Sequence, residues 1–69
     1  MTPDAFNQLP FAEQQTFFQE QGHYIGERQY KGNLLLLYRV LWFYVQATFD
    51  PQTRTIQSFT AVEQLLPLD

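Results

Sequence analysis

The sequence predicts an α+β fold with N-terminal helices, a four-stranded antiparallel meander sheet and a short C-terminal helix. Apolar residues follow helical spacing up to Gly22 and alternate with a period of two from His23 onward. Turn signals at residues 31–33 and 50–54 then divide the second part of the chain into strands. A chain of 69 residues is enough for one small domain, so we expect residues 1–69 to form a single α+β unit.

Two helices are predicted before Gly22. Thr2 can cap the first, and Pro3 suits the first helical position, where its missing N–H costs nothing. This helix is short because Pro10 disfavours helical geometry at the residue before it. The second helix is predicted over residues 10–21, with phenylalanines on one face and charged or amide side chains on the other. Gly22 fits its C-terminal end.

The central part of the chain is predicted to form three strands. Residues 23–30 form the first strand, which the turn signal at 31–33 closes. Residues 34–49 are almost continuously apolar, and this run is too long for one average strand. We expect it to fold as two strands with a break around Leu41 and Trp42.

A helix is the alternative for residues 34–49. Several apolar residues there also follow helical spacing, namely Leu34, Leu37, Tyr38, Leu41, Trp42 and Val45. Aromatic and β-branched residues are concentrated between Tyr38 and Val45, with a glycine before the run and an Asp-Pro pair after it. These features favour strands.

The last turn, residues 50–54, begins with an Asp-Pro pair, in which proline presets φ and aspartate can bond forward to the backbone. A fourth strand is predicted over residues 55–59. The segment from Thr60 to Glu63 matches a capping box. We therefore expect a short helix that starts there, runs to about Leu66 and stops before the next proline.

This register gives the sheet two apolar faces. The predicted core face, which the long helix should cover, carries Leu34, Leu36, Tyr38, Val40, Phe43, Val45, Ala47, Phe49 and Ile56. The other face carries Leu35, Leu37, Arg39, Tyr44, Gln46 and Thr48, with Phe59 placed opposite Gln46. An exposed apolar patch of this kind is typical of an interaction site. The alternative is that the C-terminal segment covers it with Leu65, Leu66 and Leu68.

Trp42 is the residue most suggestive of a partner. In a hairpin loop it would be exposed beside Leu41, as a binding anchor is. The alternative is that Trp42 folds back over the core. The predicted interaction residues are Leu35, Leu37, Leu41, Trp42, Tyr44 and Phe59.

Composition argues against most catalytic chemistry. The chain has no cysteine and one histidine, which excludes disulfides, thiolate metal sites and thiol nucleophiles. His23 follows the helix-ending glycine, and we expect a structural role for it. Ser58, the lone serine, lacks the glycines of a nucleophile elbow. We expect no enzymatic activity, no cofactor and no metal.

Charge and targeting features limit the partners. The net charge is −3, and the four cations are well separated in sequence, so a nucleic-acid partner is not expected. The N-terminus lacks the basic and apolar segments of a secretory signal. The apolar run is shorter than a membrane span and is interrupted by Arg39. We expect a cytoplasmic protein that does not bind membranes.

The leading functional prediction is a protein–protein interaction module that forms a homodimer or binds another protein. Oligomerisation is expected because a domain of this size has a marginal core. The alternative is a carrier or sensor of a small apolar ligand held between the helices and the sheet. Its predicted lining residues are Phe11, Phe17, Tyr38 and Phe43.

The segment FYVQATFDPQTRTIQSF, with the preceding Asn-Gln-Leu and Ala-Glu-Gln helix sequences, resembles a family of small uncharacterised bacterial proteins. That resemblance implies a helical N-terminus leading into strands joined by an Asp-Pro turn, and it implies no function. The turn also resembles the Asp-Pro-x-Thr-Gly hairpin of peptidase-propeptide-like domains, with Arg54 where that hairpin has glycine.

Overall fold

A computed structural model describes residues 1–65 of the chain. The elements are α1 (Pro3–Asn7), α2 (Phe11–Gln21), β1 (Gly22–Tyr30), β2 (Asn33–Val40), β3 (Phe43–Asp50) and β4 (Thr55–Val62). The four strands are antiparallel and lie in the order β1-β2-β3-β4. The predicted α+β meander is therefore confirmed, and residues 34–49 form two strands rather than a helix.

Both helices begin as the sequence predicts. The Oγ1 of Thr2 accepts a hydrogen bond from the backbone N–H of Ala5 at 3.1 Å, and Pro3 occupies the first turn of α1. Pro10 precedes α2, and its carbonyl accepts the first backbone bonds of that helix. Gln14 of α2 is buried, and its side-chain Nε2 donates to the carbonyl of Phe6 at 2.9 Å. This bond fixes the two helices to each other.

Gly22 joins α2 directly to β1. Its φ of −81° is available to any residue, so the helix does not end there through a left-handed conformation. A Cβ atom at this position would instead overlap the backbone carbonyl oxygen of Phe18. The absence of a side chain is what lets the chain pass from helix to strand without a loop.

Among residues 1–65, three residues other than glycine adopt positive φ, and each lies in a turn. Lys31 (φ 51°) and Gly32 (φ 80°) form the tight β1–β2 connection, as expected for a two-residue turn of type I′. Leu41 (φ 57°) begins the β2–β3 turn at the predicted break. Arg54 (φ 58°) ends the last turn, where the similar hairpin sequence has glycine.

The β2–β3 register matches the prediction, whereas β4 differs from it. Pairs such as Val40 with Phe43 and Leu36 with Ala47 lie opposite each other as expected. On β4 an irregularity leaves Gln57 without a direct partner, so Phe59 lies opposite Ala47 instead of Gln46. The prediction that Phe59 faces away from the core is therefore wrong.

The chain from Thr60 to Val62 continues β4, so the predicted helix start at Thr60 is also wrong. These three residues pair with Gln46, Val45 and Tyr44 of β3, respectively. Pairing with β3 and the two bonds between Asn7 and Ala61 hold this segment in the sheet, and a capping box offers only local bonds at the start of a helix. The predicted end of that helix at Leu66 lies outside the described residues.

The core lies between the helices and one face of the sheet. Its buried residues are Phe6, Phe18, Val40, Phe43, Val45, Ala47, Phe59 and Ala61. Phe6 of α1 is fully buried, and its ring meets three others edge to face, at centroid distances of 6.1 Å (Phe17), 6.3 Å (Phe43) and 6.3 Å (Phe59). Such contacts add to the hydrophobic gain of burial.

A side-chain amide ties α1 to the edge strand β4. The Nδ2 of Asn7 donates to the carbonyl of Ala61 at 3.0 Å, and the N–H of Ala61 donates to Asn7 Oδ1 at 2.7 Å. The amide therefore makes the two bonds that a neighbouring strand would make. It blocks part of an edge that would otherwise be open to pairing with another chain.

Candidate interaction surface

The sheet has a second face, here called the outer face, which points away from the helices. Strand pairing places these side chains on it: His23, Arg28 and Tyr30 of β1; Leu35, Leu37 and Arg39 of β2; Tyr44, Gln46 and Thr48 of β3; Ser58, Thr60 and Val62 of β4. The helices pack on the opposite side, because Phe6 and Phe18 contact core-face rings. Within residues 1–65, no helix covers the outer face.

A β-bulge adds one more apolar residue to this face. The β1–β2 register shifts between Tyr24 and Gly26, which leaves Ile25 without a direct partner. Gly26 has a φ of 158° and lies opposite Leu37. Ile25 is 48% exposed and lines a concavity on the outer side together with Leu41.

This concavity, here called the basic concavity, has a volume of about 460 Å³. It is lined by Gln21, His23, Ile25, Arg39 and Leu41. The Arg39 Nε donates to the carbonyl of Leu41 at 3.4 Å, which directs the guanidinium toward the β2–β3 turn. The apolar side chains of Ile25 and Leu41 thus lie beside the imidazole of His23 and the guanidinium of Arg39.

The β2–β3 turn residues Leu41 and Trp42, here called the hairpin tip, are both exposed. Leu41 is 44% exposed and Trp42 55% exposed. The Trp42 Nε1 donates to the carbonyl of Met1 at 3.1 Å, and its ring meets Phe43 edge to face at 5.4 Å. Trp42 is therefore anchored at one edge, and more than half of its surface remains open to a partner.

The predicted interaction residues separate into three groups. Leu35 and Tyr44 are half-buried on the outer face, and Leu41 and Trp42 form the hairpin tip. Leu37 lies on the outer face but is only 5% exposed, so little of its surface is open to a partner. Phe59 is 6% exposed and belongs to the core, so it cannot be an interaction residue.

Sequence reasoning missed Ile25 as a member of this surface, and it placed Arg39 on the outer face without including it among the interaction residues. Strict alternation counted from the first turn, where Tyr30 pairs with Asn33, would place both His23 and Ile25 on the core face, and the bulge brings them to the outer face. Gly26 was the available signal, because a glycine inside a strand often marks a bulge. Arg39 was placed on the correct face, but its proximity to His23 and Ile25 depends on that bulge.

The four residues predicted to line a ligand pocket do not line one cavity. Phe43 is fully buried in the core, and Tyr38 contacts the rings of Phe18 and Tyr24. Phe17 borders a groove on the solvent side of α2. Phe11 lines a separate cleft of about 500 Å³ between α2 and the sheet, with Gln15, Leu36, Phe49, Arg54, Thr55 and Ile56.

No group of three or more histidine, cysteine, aspartate or glutamate side chains is placed to hold a metal ion in the described part of the chain. No helix there is long and apolar enough to cross a membrane.

Comparisons with protein-family models, with curated proteins and with solved structures give no match for this chain. The resemblance to a family of small bacterial proteins therefore stays a prediction.

Proposed function

We propose that this protein is a non-enzymatic interaction module that self-associates through the outer face and the hairpin tip. The observation that carries the proposal is that exposed Ile25 and Leu41 line one concavity of a sheet face that no described helix covers, with exposed Trp42 next to Leu41 in the turn. Monomeric proteins rarely expose contiguous apolar patches larger than a few hundred Å².

The energetic argument favours burial of these residues against another protein. Fully burying a large apolar side chain contributes about 1.5 to 3 kcal/mol. Leu41 is 44% exposed and Trp42 is 55% exposed, so about half of the surface of each residue could still be buried by a partner. Tryptophan is also enriched among the residues that contribute most to protein interfaces.

The small size of the domain favours a second copy of the chain as the partner that binds the outer face. The buried core of the described part consists of few residues, and a core this small is marginal, so burial of the outer face against a partner would add stability. The helices already cover one face of the sheet, so a second copy on the outer face would complete its burial.

Solution mass tests the proposal. Wild type should show a mass above the 8.2 kDa of one chain by light scattering, rising with concentration. Leu41→Glu should shift the protein to monomer while far-UV circular dichroism stays unchanged, because an unpaired carboxylate would have to be buried in the interface. Gln29→Glu, an exposed strand position on the other side of β1, is the matched control and should not change the mass.

A monomeric wild type at about 0.1 mM, which corresponds to association weaker than roughly 5.5 kcal/mol, would contradict the proposal. Equal masses for wild type and Leu41→Glu would contradict the placement of the interface.

The cleft beside Phe11 favours a second candidate, a carrier of small apolar ligands. Its volume of about 500 Å³ lies in the usual range for ligand sites, and Leu36, Phe49 and Ile56 give it an apolar floor. Ligand binding would raise the melting temperature by mass action. A panel of apolar ligands should therefore stabilise wild type but not Phe49→Ser if this candidate is correct, and an unresponsive wild type would exclude it.

A further inference from the structure

The cleft beside Phe11 combines an apolar floor with one charged side chain. Its floor consists of Leu36, Phe49 and Ile56, which are half-buried on the core face of the sheet. Arg54, which is exposed, is the one lining residue that carries a charge. The cleft is therefore an apolar cavity of about 500 Å³ with a guanidinium on its solvent side.

The guanidinium of Arg54 is available to a ligand. The backbone N–H of Arg54 donates to the carbonyl of Asp50 at 2.7 Å, whereas its side chain makes no hydrogen bond or ion pair within residues 1–65. Asp50 does not line the cleft, and its carboxylate accepts bonds from the backbone of Gln52 and the side chain of Gln57. Since no acidic side chain of the described chain lines the cleft, the lining neither neutralises Arg54 nor repels an anion.

The backbone of Arg54 favours a different residue at this position. Its φ of 58° lies in the left-handed region, which glycine adopts far more readily than arginine does. Residues that keep such a conformation are concentrated at binding sites and active sites. The side chain that glycine would lack reaches the cleft from the turn between β3 and β4. A role for that side chain in the cleft accounts for an arginine at this position.

Charge and size together indicate the class of ligand. A cavity of this volume is in the usual range for small molecules, and its apolar floor suits a hydrocarbon or aromatic body. One guanidinium presents a planar pair of N–H donors that matches a single carboxylate. A phosphate carries more negative charge, which the net charge of −3 on the chain disfavours. The cleft therefore fits an apolar molecule with one carboxylate.

We propose that the cleft beside Phe11 binds a small amphipathic monocarboxylate, such as a medium-chain fatty acid, whose carboxylate pairs with the guanidinium of Arg54. The hydrocarbon tail lies on Leu36, Phe49 and Ile56. This inference rests on the carrier candidate, to which it adds the class of ligand, and it does not depend on self-association. Because the cleft lies on the core side of the sheet, a ligand there leaves the outer face open to a second copy.

An NMR titration of the full chain with decanoate and with decanol tests the class of ligand, because the two molecules share a tail and differ in charge. Decanoate should shift the backbone amides of Phe11, Phe49 and Ile56 and should bind at least about tenfold more tightly than decanol. Equal affinities would overturn the proposal and leave the carrier of neutral apolar ligands standing. A wild type that binds neither molecule would overturn both.

Two further results of this titration would also contradict the proposal. Decanoate shifts concentrated at the basic concavity would place the anion on His23 and Arg39 instead. Tighter binding of decyl phosphate than of decanoate would overturn the assignment of a carboxylate.

Substitutions in two turns test the role of Arg54. Arg54→Gln should weaken decanoate binding at least about tenfold and change decanol binding by less than about threefold. Lys31→Gln is the matched control, because Lys31 is also an exposed turn residue at positive φ, 51°, and does not line the cleft. It should leave the affinity for decanoate unchanged, and an equal loss in both variants would mean that overall charge, not Arg54, attracts the ligand.

Arg54→Gly keeps the test valid if Arg54→Gln disturbs folding. Glycine suits the left-handed conformation, so the far-UV circular dichroism of this variant should match that of wild type. The preference for decanoate over decanol should be lost together with the guanidinium. An Arg54→Gly variant that keeps this preference would overturn the proposal.

Discussion

Leu41 adopts a left-handed backbone conformation, which a residue with a Cβ atom disfavours. A left-handed conformation costs about 1 to 2 kcal/mol for a residue with a Cβ, and glycine adopts it without that cost. The chain nevertheless carries an exposed leucine there, at φ 57°. Strained positions that persist in a structure are often functional, which agrees with a binding role for the hairpin tip.

Leu41→Gly should therefore separate stability from association. The change relieves the strained φ, but glycine also loses more backbone entropy on folding, so we expect a stability change within about 1 kcal/mol. Association should weaken because the apolar side chain is lost. Urea unfolding together with sedimentation would measure both, and a variant that associates as well as wild type would argue against Leu41 as an interface residue.

Gly22 should tolerate no side chain. Gly22→Ala places a methyl group against the carbonyl of Phe18, and overpacking of this kind costs about 1 to 3 kcal/mol. Gln21→Ala, at the exposed neighbouring position, is the control and should cost far less. Urea denaturation of the two variants would compare them, and equal stability would mean that the helix-to-strand junction shifts easily.

Among the elements, α1 and β4 depend on each other through Asn7. Asn7→Ala leaves the N–H and C=O of Ala61 without their side-chain partners, and we expect a loss of about 1 to 3 kcal/mol. The adjacent Gln8→Ala removes a side chain of similar size and should be close to neutral. Thermal unfolding would reveal the difference, and no difference would mean that water replaces the amide at that edge.

A substitution of Thr60 tests whether this part of the chain forms a strand or the helix that the sequence predicts. As an exposed strand residue, it should accept Thr60→Val with little change in stability, because valine favours strands as threonine does. As a helix cap, it would lose about 0.5 to 2 kcal/mol on losing its hydroxyl. A loss of that size in chemical denaturation would contradict the extended β4.

The elements also show what the sequence could and could not predict. Pro3, Pro10 and Gly22 mark the helix bounds through local chemistry, and the β2–β3 register follows from two turn residues and strict alternation. Bulges break alternation, so the placement of Ile25 and Phe59 could not be read from a period of two. The length of β4 depends on its pairing with β3 and on Asn7, contacts that a local capping pattern does not contain.

For the whole molecule, the candidate surface was predicted in outline only. Alternation separates the two sheet faces, and a hairpin turn exposes its own residues, so Leu35, Tyr44, Leu41 and Trp42 could be selected from the sequence. The basic concavity could not, because Gln21, Ile25 and Arg39 come together only when β1 and β2 pair around the bulge.

An NMR dilution series of the wild-type protein tests the central claim most directly, because it shows both whether the chain self-associates and where. Concentration-dependent shifts of backbone amides should concentrate at the basic concavity and the hairpin tip, including Ile25, Arg39 and Trp42. Spectra that do not change from about 0.01 to 1 mM, or shifts confined to the cleft beside Phe11, would contradict self-association through the outer face.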